Sequence, residues 1–127
     1  MNTATMAASE NEVIDRTTAQ EYAFLLTHDR KRPEGSLYAC LGTKVIRRTK
    51  TGIMFDIHGA AHRVSHCSLD YNAGLDLFEL SFYRAGKAGD FDLIENFPAL
   101  FNDQIKAVFE DYTGLVTSVP RCLGFIN

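Results

Sequence analysis

Hydrophobic and polar positions along this chain follow two rhythms, a helical one near both ends and an alternating one between them. Thr18-Ala19-Gln20-Glu21 has capping-box spacing, a hydroxyl followed three residues later by a carboxylate. Tyr22, Ala23 and Phe24 to Leu26 then predict a short helix ending before Asp29. Arg30-Lys31-Arg32-Pro33-Glu34-Gly35-Ser36 predicts a loop, because Pro33 and Gly35 interrupt periodic structure. From Leu37 to Arg84 the texture turns to β. Leu37–Leu41 and Lys44–Thr49 predict short extended segments, and Thr49-Lys50-Thr51-Gly52 a turn. Ile53, Phe55 and Ile57 share one face of the next strand. His58-Gly59 predicts a second turn, Ala61–Leu69 a strand and Asp70–Gly74 a third turn. Leu75–Arg84 predicts the longest and most apolar strand, with Phe78, Leu80 and Phe82 on one face.

The closing helix is predicted to open at Asn96-Phe97-Pro98, since proline's missing N–H costs nothing in a first turn. Phe97, Leu100, Phe101, Ile105, Val108, Phe109 and Tyr112 form its apolar stripe, opposite Asn102, Asp103, Lys106 and Glu110. Gly114 stops it, with Leu115 folding back on the last turn. The fold class predicted is α+β: an antiparallel β-meander of three to four strands packed against a C-terminal amphipathic helix, with a shorter N-terminal helix. Residues 17–127 read as one domain behind a flexible leader over residues 1–16.

Composition agrees with one packed domain: 127 residues, 46% hydrophobic and 11% aromatic. No apolar run approaches the roughly 20 residues of a membrane helix, so no membrane partner is expected. Met1–Val13 has no basic region ahead of an apolar stretch, unlike a signal peptide, and Glu10, Glu12 and Asp15 argue against a transit peptide. Cys40, Cys67 and Cys122 are odd in number and widely spaced, which points to a reducing compartment and a cytoplasmic location.

Charge changes the picture more. Arg30, Lys31, Arg32, Lys44, Arg47, Arg48 and Lys50 face one acid, Glu34, so residues 30–50 carry +6; with a net charge of −3, the rest carries −9. A basic stretch in an acidic body points towards a negatively charged partner. Tyr38 offers a stacking surface beside it. A protein surface is the first expectation and nucleic acid the second; a solvated, charge-protected edge strand is the plain reading.

Candidate chemistry is sparse. His58, His62 and His66 recur every four residues, followed by Cys67. On a strand rising about 3.3 Å per residue, neighbouring histidines stand roughly 13 Å apart, too far to share a zinc ion. They remain weak metal candidates, and His62 and His66 are the reserve for an enzyme reading, with Cys67 or an acid from Asp90, Asp92 and Glu95. Cys67 and Cys122 lack an obvious group to lower their pKa, and Cys40 reads as a small core hydrophobe. Gly86-Lys87-Ala88-Gly89 lacks phosphate-loop spacing and reads as a turn; the acids from Asp90 to Glu95 read as a polar rim ahead of the helix. No nucleophile elbow or dinucleotide fingerprint is present, and no cofactor is expected.

The order of strand ending in Asp70-Tyr71-Asn72, strand Leu75–Arg84 and helix closing at Tyr112-Thr113-Gly114-Leu115 is similar in general look to short proteins of bacterial mobile elements. That likeness carries no motif of known function and identifies no family; it implies an accessory or inhibitor role. The function expected is a small non-catalytic binding module acting through protein contacts. The alternatives are a nucleic-acid-associated protein and a small enzyme. A homodimer through the side carrying Met54, Leu77 and Tyr83 is a further alternative.

Overall fold

The computed structural model describes residues 12–117, and in it the first helix starts earlier than the capping-box spacing predicts. Asp15 is the N-cap, its carboxylate accepting the Thr18 N–H at 2.8 Å. Helix α1 (Arg16–Thr27) buries Ala19, Ala23 and Leu26, spaced to share one face. Ile14, within the expected leader, donates its N–H to the Thr49 carbonyl at 2.9 Å. Residues 1–11 of that leader lie outside the described residues.

The predicted loop and extended segment over residues 30–41 are instead a connection followed by helix α2 (Pro33–Leu41). Pro33 occupies the start of the helix, where it removes no hydrogen bond, so it initiates rather than breaks. Gly35 is exposed, where its helical penalty is only about 1 kcal/mol. Leu37 and Leu41, four apart, are both buried, as a helix face requires.

Strands β1 (Ile46–Arg48), β2 (Gly52–Asp56), β3 (His66–Asn72), β4 (Leu77–Ala85) and β5 (Phe91–Leu100) form one antiparallel meander in sequence order. The strand predicted from Ala61 begins only at His66. His62 and Arg63 have φ of 62° and 59°, which a strand does not admit, and Ala61–Arg63 form a short 3-10 turn.

The larger correction concerns β5. The supposed rim and helix opening are ten strand residues, one more than β4 has. Phe97 pairs with Leu80 and Leu100 with Phe78, so these two side chains reach the core from the sheet. Pro98 is tolerated because β5 is an edge strand. Helix α3 therefore spans only Ile105–Thr113, stopped by Gly114 at φ 74°. With nine residues it is shorter than the twelve-residue α1, reversing the expected order of lengths.

Alternation then separates the two faces of the sheet. Ile53, Phe55, Cys67, Leu69, Leu80 and Phe82 point to one side and share a core with Leu26 of α1, Leu37 of α2 and Phe109 of α3. Phe82 is the hinge of this packing, its ring 5.8 Å from Phe109 and 4.6 Å from Tyr112. Each fully buried side chain of this size contributes about 1.5–3 kcal/mol before entropy. The intervening residues Met54, Ser68 and Ser81 form a row on the opposite face, which the described helices do not join. No helix among the described residues is long and apolar enough to cross a membrane.

Candidate interaction surfaces

The seven cations singled out in the sequence do not behave as a group. Arg48 donates to the Ile14 carbonyl at 3.2 Å, and Lys50 lies 3.6 Å from Glu12. Both are thus taken up by the segment that runs in beside β1. Lys44 and Arg47 line one cleft, and Arg30 and Lys31 another that shares no residue with it. Arg32 precedes α2 and lines neither.

The first cleft, about 430 Å³, is built at the β1–β2 end of the sheet from Lys44, Val45, Arg47, Met54, His66 and Phe91, with Asp56 and His58 also in its lining. Its local order comes from Asp56. That carboxylate accepts the N–H groups of Lys44 and Val45, each at 3.0 Å, and lies 2.8 Å from the His58 ring nitrogen. Partial burial pushes its pKa up, but these hydrogen bonds outweigh that and hold it at about 2. Asp56 is therefore an ion at neutral pH, committed to the chain leading into β1.

His66 sits further along the same face. Its Nδ1 is 2.9 Å from the Ser65 hydroxyl, and the Phe91 ring stands edge-on at 4.7 Å. Burial lowers its pKa, ahead of a raising influence from Asp56, so the ring is mainly neutral at pH 7. Phe91 and Leu93, on alternate positions of β5, remain 47% and 58% exposed, and Val45 50%. The side chains of Lys44 and Arg47 have no acidic partner among the described residues.

The second cleft, about 600 Å³, lies on the helix side between α1, the connection into α2 and β4. Tyr22, Phe24, Leu25, Pro33 and Phe78 supply apolar walls, and Arg30, Lys31 and Glu21 the charges. Asp29 holds the connection rigid: one oxygen accepts the Lys31 and Arg32 N–H groups at 3.1 Å, the other the Ser36 hydroxyl at 2.7 Å.

The reserve chemistry disperses. His58 is tied to Asp56, His62 stacks on Tyr112 at 4.4 Å, and His66 meets Phe91. Among the described residues no three His, Cys, Asp or Glu side chains gather where a metal could be held. Cys67 is wholly buried, and burial pushes its thiol pKa well up, which makes it a poor nucleophile. Cys40, on α2, is half-buried and packs against the core. Cys122 lies outside the described residues. Gly86–Gly89 is the β4–β5 turn, with the Gly86 N–H bonded to the Asp90 carbonyl at 2.7 Å. Tyr38 is exposed on α2. Met54 and Tyr83 do lie on the face that the described helices leave free.

Sequence reasoning missed Phe91, Val45 and Asp56, and the aromatic walls Phe24 and Phe78. The alternation Asp90-Phe91-Asp92-Leu93 carried the signal for the first of these, since it places two apolar side chains on one strand face. No protein-family model matches the chain, nor does any curated protein or solved structure.

Proposed function

We propose that this chain is a non-catalytic binding module that engages a protein partner through the face of its sheet opposite the helices. One observation carries the reading: Lys44 and Arg47, without acidic partners among the described residues, line a cleft whose walls are mainly apolar. A partner segment that combines Asp or Glu with large apolar side chains suits this surface. Its carboxylates would meet Lys44 and Arg47, and its apolar groups Met54, Val45 and Phe91. The dispersal of the histidines and the buried thiol of Cys67 support a binding role over an enzymatic one. The division of the cations between separate places supports a local protein contact over a continuous phosphate track.

Selection from a random peptide display library tests this. Wild type should enrich peptides that mix acidic and apolar residues. Lys44→Glu/Arg47→Glu should lose them, whereas Lys87→Glu, on the β4–β5 turn, should keep them. Absence of enrichment, or binding indifferent to the double variant, would overturn the proposal. Salt-sensitive capture of oligonucleotides that the same double variant abolishes would assign these cations to phosphates instead.

A further inference from the structure

The helix-side cleft is a separate feature, and the protein-contact reading does not use it. Its volume of about 600 Å³ lies within the range of small-molecule sites, and its walls combine rings with fixed charge. Arg30 lies over one wall, its guanidinium carbon 4.2 Å from the centre of the Phe24 ring. Tyr22 and Phe78 meet edge to face at 5.4 Å and make a second aromatic surface. Lys31 has no acidic partner among the described residues, and Glu21 offsets only one of the two cations.

The charges are also positioned before any ligand arrives. Asp29 clamps the Lys31 and Arg32 backbone and the Ser36 hydroxyl, so the connection does not have to be ordered on binding. Tyr22 is a hydroxyl donor at neutral pH, and burial and then the carboxylates of Asp70 and Glu21 raise its pKa further above the ordinary 10. Two aromatic surfaces suit a flat apolar body, and a net single positive charge suits one anionic group.

We infer that this cleft binds a small molecule with a planar aromatic body and one anionic group, held by Arg30 and Lys31 against Phe24 and Phe78. Carboxylates and phosphates share that chemistry. Amide resonances of the labelled protein should be followed during titration with naphthoate, adenosine monophosphate and their neutral counterparts, naphthamide and adenosine. At least one anion should shift residues 17–33 and Phe78. Its neutral counterpart should bind about tenfold more weakly, since the charged hydrogen bonds are lost. A response to naphthoate alone identifies a carboxylate ligand, and one to the nucleotide alone a phosphate. Lys31→Ala, an exposed change whose folding a thermal melt verifies, should weaken the anion several-fold, while Lys44→Ala should leave it unaffected. No shift with either anion, equal binding of the neutral molecules, or shifts centred on Lys44 and Arg47 would overturn the inference. Those results leave the peptide selection, which reads the other face, to be judged separately.

Discussion

The Thr117 hydroxyl donates to the Leu26 carbonyl at 2.7 Å, joining residues 91 positions apart. Thr117 is wholly buried, and its N–H reaches the Glu110 carboxylate at 2.9 Å. Lys106 approaches that carboxylate from the previous helical turn at 2.7 Å. The residue thus fastens the segment after α3 to the last turn of α1. Thr117→Val preserves shape but orphans a buried carbonyl, so it should cost about 1–3 kcal/mol. Urea unfolding with an unchanged slope and a lower midpoint would show this.

Ser68 presents the opposite case. It is 5% exposed, on the sheet row between Met54 and Ser81, and its hydroxyl has no hydrogen-bond partner among the described residues. A buried unsatisfied hydroxyl carries a desolvation penalty with nothing returned. Ser68→Ala should be neutral or stabilising by up to about 1 kcal/mol, as read from the same unfolding curves.

Asp56 makes stability depend on acid. Its folded pKa of about 2 lies below the ordinary 3.8, so its ionised form favours the folded state. That contribution is fully present above about pH 3.8 and is lost as pH falls through about 2. Asp56→Asn should therefore lower the melting temperature at pH 7 and flatten its decline between pH 4 and pH 2. Melts of both proteins across this range test the sign. A variant whose acid decline matches wild type would exclude Asp56 as a source.

Gly52 begins β2 with ordinary backbone angles, yet a Cβ there would overlap the Leu69 carbonyl oxygen of β3. Steric approach, rather than conformational freedom, requires glycine. Gly52→Ala should destabilise by more than about 3 kcal/mol, since strand backbone cannot move aside as a flexible side chain can. Failure to accumulate as folded protein, or a midpoint lowered to match, is the expected result.

Local pattern was a good guide where one periodicity ruled. Ile53 and Phe55 are legible as a buried strand face, Phe78, Leu80 and Phe82 as a core-facing row, and Gly114 as a helix stop, and the structure has each; Ile57 is buried too, but just past the end of β2. It failed where two readings used the same residues. Phe97 and Leu100 fit a helical stripe with Phe109, but they also fit a strand beside β4, and pairing with Leu80 and Phe78 selected the strand. Pro33 fits a breaker by local pattern alone, but its effect depends on whether a helix starts there, and one does. The site was less legible still: the basic stretch was visible at once, but its division was not.

By itself, the sequence determined the α+β class, the meander, most of the core and the segregation of charge, because these follow from periodicity and side-chain chemistry along the chain. The tertiary structure decided which cations remain available. The segment at Glu12 and Ile14 engages Lys50 and Arg48, Phe24 positions Arg30 in the cleft it shares with Lys31, and Lys44 and Arg47 have no acidic partner among the described residues. Those outcomes depend on distances between residues far apart in sequence, and hydrogen bonds and ion pairs act only over a few ångströms. Only the folded chain sets such distances.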